Sequence, residues 1–139
     1  MVAKLRPKSV RSPGSPCAWA PANEASVSEL IEYSDVSNLT GTVAVGTIPA
    51  GGRFLDARCW VVTAFNAGAD DALIVGIPTD TNYFIEDGHP TVADSETTQA
   101  AYIDYTPTSD VVVSAIYTHT GAAPTTGKAL VIIRYQQPL

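Results

Sequence analysis

FLDARCWVVTAFNAGADDALIVGI, residues 54–77, is the stretch whose reading decides the fold. Over 54–65 the side chains alternate: Leu55, Ala57, Cys59, Val61, Thr63 and Phe65 against Asp56, Arg58, Trp60 and Val62. Successive strand side chains point to opposite faces, so the first, uncharged set is expected to face a core. The run breaks at Asn66, Gly68, Asp70 and Asp71 and resumes as Ala72–Ile77, which reads as a β-hairpin with a loose acidic tip. Trp60 and Val62 leave the second face partly apolar, which suggests cover by the N-terminal arm or by another subunit.

Working outward, residues 40–52 (TGTVAVGTIPAGG) supply a strand over 42–48 and a turn set by Pro49, Gly51 and Gly52. Residues 26–37 read either as a short helix starting at Ser26 or Ser28, or as a strand; the surrounding β signal favours the strand. Further strands are expected at about 72–77, 98–105, 110–118 and 128–135. In KALVIIRY (128–135), Leu130 and Ile132 share one face and Val131 and Ile133 the other, as in an interior strand covered on both sides. The 78–97 segment has turn residues throughout and no sustained period, so it reads as a long loop. Val61, Phe65, Leu73, Val75, Val113, Val131 and Ile133 are the expected core. Seven or eight short strands at this spacing give an all-β chain: a single β-sandwich over 27–139, jelly-roll-like or Greek-key, with an extended N-terminal arm.

That arm is residues 1–26. Pro7, Pro13, Pro16 and Pro21 each fix φ and remove an amide donor, which excludes a helix or a central strand. Residues 1–16 hold Lys4, Arg6, Lys8 and Arg11 and no acid, a charge of +4; the other 123 residues set four bases against fourteen acids, −10, for the net −6. A basic tail on an acidic body is suited to docking on an acidic surface, such as a neighbouring copy. Trp19 beside Cys17 would expose a large apolar surface in a free tail, so this part of the arm is expected to pack against another subunit and to order only in an assembly. The expected partner-binding residues are therefore Lys4, Arg6, Lys8, Arg11, Cys17, Trp19 and Trp60.

The sequence argues against chemistry. His89 and His119 lie thirty residues apart, without a Gly-x-Ser-x-Gly elbow or the local His and Cys spacing of a zinc site, so no catalytic centre, metal or cofactor is expected. Eight of the fourteen acids fall between residues 70 and 104, but without the calcium-loop pattern; the 67–71 tip reads as a turn in which Gly68 permits positive φ and the two aspartates resist edge pairing. Four bases diluted by four prolines make a weak nucleic-acid arm. Cys17 and Cys59 allow one bridge, though Cys59 at a core position reads better as a small buried hydrophobe. Residues 1–16 lack the apolar segment of a secretory signal, and no run approaches the ~18 apolar residues of a membrane span, so synthesis in a cytoplasm and no membrane partner are expected.

The stretch IPAGGRFLDARCWVVTAFNAGADDALIVGI, the TDTNYFIEDG excursion and the closing KALVIIRY strand resemble small virion proteins of tailed bacteriophages. The resemblance is carried by Pro49, Ala50, Gly51, Asp56, Val61, Thr63, Ala64, Phe65, Asn66, Ala72, Leu73, Val75 and Gly76, and spans about residues 45–135. It implies a decoration or cement protein, often a homotrimer, bound to the major capsid protein on the outer surface of the head. Head spike, tail or neck components, and receptor- or carbohydrate-binding β-modules, are the alternatives. The arm lies outside the resembling region.

Overall fold

The computed structural model describes residues 23–36, 39–99 and 105–139. Among these residues eight strands form: β1 (Glu24–Glu32), β2 (Thr40–Ile48), β3 (Arg53–Thr63), β4 (Ala69–Ile77), β5 (Asp80–Ile85), β6 (Ser95–Gln99), β7 (Val111–Thr120) and β8 (Lys128–Gln136). A 3-10 turn, Tyr33–Val36, follows β1. The strands make two four-stranded antiparallel sheets, ordered β1-β8-β3-β6 and β2-β7-β4-β5. Each N-terminal strand pairs with its mirror in the C-terminal half (1 with 8, 2 with 7, 3 with 6, 4 with 5), which is the doubled-over chain of a jelly roll.

The core lies between the sheets, and all seven expected core residues are buried in it. Ring pairs close both ends. Phe54 of β3 stacks on Phe84 of β5 at 4.6 Å, and Phe65, just past β3, stacks on Tyr117 of β7 at 4.7 Å. Offset aromatic pairs of this kind add about 0.5–1.5 kcal/mol beyond their area, and each here ties one sheet to the other.

Several expectations need correction. The 78–97 segment is not a loop throughout: Ile77 pairs with Asp80 across a tight Pro78–Thr79 turn, β5 runs back beside β4, and β6 begins at Ser95. Polar Asp80, Thr81 and Asn82 on the exposed end of β5 hide the strand from a hydrophobic-pattern reading. β6 is described over Ser95–Gln99, paired with β3 as Cys59↔Thr97 and Val61↔Ser95; of the strand expected at 98–105, residues 100–104 lie outside the described residues.

Within β3, Leu55 and Thr63 do not face the core as the simple alternation requires. The register to β8 slips between Phe54 and Asp56 and again between Val61 and Thr63. Each bulge inserts a residue, so Phe54 takes the inward position and Thr63 turns to solvent. Finally, β8 is interior to its sheet, but only Ala129, Val131, Ile133 and Tyr135 are buried. Leu130 and Ile132, on its other face, are half-buried with no layer of the described chain over them.

Candidate interaction surfaces

The groups that looked most like chemistry prove to be structural joints. Around the acidic tip, the Tyr117 hydroxyl donates to Asp71 at 2.6 Å and the Thr120 hydroxyl donates to Asp70 at 3.1 Å. Burial and the Asp71 contact push the Tyr117 pKa well above its ordinary value. Asn66 Oδ1 accepts from the amides of Thr125 and Thr126, pinning the loop before β8 to the end of β3. The left-handed residue of this turn is Asp70 (φ 52°) rather than Gly68. Gly68 is needed for a close approach instead: a Cβ there would lie 2.7 Å from the Ala122 amide nitrogen. Among the described residues no group of three or more His, Cys, Asp or Glu side chains could hold a metal ion.

The histidines are separated by the fold. His119 is buried on β7, 5.7 Å from the Tyr117 ring, while His89 sits in an exposed loop 3.2 Å from Asp87. Cys59 is a buried, free thiol whose pKa burial, helped by the charge of Asp87, pushes up to about 12. At that pKa the thiolate needed for reaction is scarce at neutral pH. Tyr83 and Tyr105 pack on Phe84 and on one another at 5.2–5.7 Å. They extend the core at this end as partly buried residues packed against it. No helix among the described residues is long and apolar enough to cross a membrane.

What the structure does present is two sheet faces. On the outer face of the β1-β8-β3-β6 sheet, Leu30 pairs with Leu130, and Leu130 with Trp60, making an apolar row across three strands. Leu30 is 39 %, Trp60 44 % and Val62 37 % exposed, and half-buried Ile132 extends the row by one step along β8. Ion pairs rim it: Lys128 with Glu32 (3.6 Å) at one end, Arg58 with Glu96 (3.5 Å) on the far side, and Arg134 with Glu24 (3.1 Å) and Asp56 at the other end. The Asp56 hydrogen bond raises the Arg134 pKa above its ordinary value.

All four bases of the described chain (Arg53, Arg58, Lys128, Arg134) lie on this face, opposite four acids of the same face (Glu24, Glu32, Asp56, Glu96). Its net charge is zero, and among the described residues no other carboxylate forms an ion pair with a Lys or Arg. An apolar centre with a polar rim is the anatomy of a protein interface. Of the residues that the sequence marked for partner contact, Trp60 is placed here. Lys4, Arg6, Lys8, Arg11, Cys17 and Trp19 lie outside the described residues. Leu30, Leu130 and Ile132, which complete the apolar row, are not among those residues, although the apolar second face of KALVIIRY signalled the latter two.

The outer face of the β2-β7-β4-β5 sheet is of another kind. Its central rows, Thr42–Ile116–Ile74 and Ala44–Ser114–Gly76, contain no ionisable side chain. A shallow hollow of about 210 Å³ lies here, lined by Thr42, Gly76, Ser114 and Ile116 among others. Gly76 must stay bare because a Cβ would meet the Asp80 carbonyl oxygen at 2.3 Å.

No protein-family model matches the chain, and no curated protein matches it. Two solved structures share its fold over nearly its whole length. A chain of the cyanophage Pam1 capsid asymmetric unit superposes with a TM-score of 0.69 at 15 % identity, over 92 % of this chain and 94 % of that one. A chain of the acidic stable capsid structure of Helicobacter pylori bacteriophage KHP30 gives 0.63 at 21 % identity, over 86 % and 92 %. At these identities the likeness is one of fold.

Proposed function

We propose that this chain is a structural, non-enzymatic protein of a bacteriophage virion, a decoration or cement protein that binds the outer surface of the assembled head as a homotrimer and stabilises contacts between capsomers. The observation that carries the reading is the end-to-end fold likeness to chains of two phage capsid structures, in which almost no part of either partner is left over. The sheet faces support it. One is an apolar row inside ion pairs and the other is uncharged at its centre, as repeated protein contacts require. The basic arm supplies a second attachment through Lys4, Arg6, Lys8 and Arg11 to acidic surface, and through Cys17 and Trp19 to a neighbouring subunit.

A protein that binds the assembled shell and not its free subunits stabilises the shell by mass action, about 2.7 kcal/mol per site at a hundredfold excess over Kd. The test is co-sedimentation with heads lacking the protein, using wild type, a 1–20 deletion and Trp19→Ala at low and high salt. Wild type is expected to pellet with the heads. The deletion should stay folded and bind more weakly, with the charge-dependent part of the loss fading as salt rises. Absence of wild-type binding at either salt would remove the reading.

A further inference from the structure

The apolar row on the outer face of the β1-β8-β3-β6 sheet requires an occupant, and chain length restricts which one. We infer that Leu30, Trp60, Val62, Leu130 and Ile132 form the receiving site for the Trp19 segment of a second copy of this chain; this deepens the assembly proposed above by naming the two surfaces that meet.

The argument starts from where the described chain begins. The Asn23 carbonyl accepts from the Gln137 amide, so the chain is still in sheet register at that residue, at the Gln136 end of β1. Leu30 lies seven residues further along β1, about 23 Å away at ~3.3 Å per strand residue. Trp60 lies two strands across from it, a further ~10 Å. A chain spans at most about 3.6 Å per residue, so Trp19 stays within ~14 Å of Asn23. The same chain's Trp19 therefore falls short of Leu30, Leu130 and Trp60 at the centre of the row, a limit that a neighbour's Trp19 does not share.

The chemistry of the two surfaces agrees. The face has no net charge and an apolar centre, which suits Trp19, Ala18 and Ala20. The described acids outside this face, among them Glu29 and Asp35 at the β1 end, form no ion pair with a described Lys or Arg and suit Lys4, Arg6, Lys8 and Arg11 of the arriving arm. Aromatic anchors in such sites carry most of the binding, and rim charges little.

Sedimentation velocity on the free protein, with five samples, tests this. Wild type should self-associate. Trp19→Ala and Trp60→Ser should each associate at least about 30-fold more weakly. Trp60 lies outside the core, and circular dichroism of each variant checks that it folds; Val62→Asp serves as the second patch variant, expected to weaken association as Trp60→Ser does. An equimolar mixture of Trp19→Ala with Trp60→Ser should recover dimers, because the first keeps an intact face and the second an intact arm. A monomeric wild type, undiminished association in either single variant, or a mixture no better than its components would overturn the inference. Particle binding is read separately. Heads bound by a protein that does not self-associate would leave the proposed function standing and remove this one, and self-association without head binding would do the reverse.

Discussion

Val61→Asp and Val62→Asp place the same charge on neighbouring residues and should differ sharply in outcome. Val61 is fully buried between the sheets, while Val62 is more than a third exposed on the outer face. Losing the buried valine contributes about 1.5–3 kcal/mol of destabilisation. Burying a carboxyl group without a partner adds roughly 2–7 kcal/mol. The sum of about 4–10 kcal/mol competes with a total stability of about 5–15 kcal/mol for a domain of this kind. Val61→Asp should therefore be largely unfolded at neutral pH, and Val62→Asp should change stability by no more than about 0.5 kcal/mol. The sign of the pH dependence follows from burial. An aspartate at 61 would have its folded pKa raised above the ordinary ~3.9, so its penalty should shrink as pH falls and grow as pH rises through the folded pKa. Circular dichroism melts of both variants at pH 4 and pH 7 read this directly. A folded Val61→Asp with an unchanged melting temperature, or equal damage from the two substitutions, would refute the strand register.

Tyr117→Phe removes the hydroxyl that donates to Asp71 and should cost about 1–2 kcal/mol, read by urea denaturation at pH 7. Because the folded Tyr117 pKa is raised, the stability it contributes is present below the unfolded value near 10 and is lost as pH rises beyond it. Wild type should accordingly lose more stability between pH 9 and pH 11 than the variant. Cys59, with its thiol pushed up to about 12, should resist maleimide in the native protein at pH 7.5 and react once the chain is unfolded in guanidinium; rapid native labelling at Cys59, located by peptide mass mapping, would contradict its placement. Arg134→Ala leaves the mostly buried Asp56 without its guanidinium and should destabilise more than Arg58→Ala, which breaks an exposed pair worth about 0–1 kcal/mol, as compared by thermal melts.

The sandwich was legible in the sequence because its central strands are written in period two, and Val61, Phe65, Leu73, Val75, Val113, Val131 and Ile133 all fall where that period puts them. The misplacements have local causes. Leu55 and Thr63 are displaced by bulges, which a strict alternation cannot register, and β5 carries its apolar residues only at one end. Gly68 looked like the left-handed residue of its turn, but Asp70 takes that conformation and Gly68 answers to a contact with Ala122, fifty-four positions away. The apolar outer face of the β1-β8-β3-β6 sheet was half legible. Trp60 and the two apolar faces of KALVIIRY pointed to a covered outer surface, but its composition depends on the Leu30↔Leu130↔Trp60 register, which only strand pairing defines. The acidic tip could not be resolved from spacing, because Tyr117 and Thr120, the partners of Asp71 and Asp70, come from the other half of the chain.

A cryo-EM map of the virion tests the central claim most directly. The account predicts eight-stranded density for this chain on the outer surface of the head, at contacts between capsomers. Density for the chain confined to the tail, the neck or the head interior, or its absence from the particle, would contradict it.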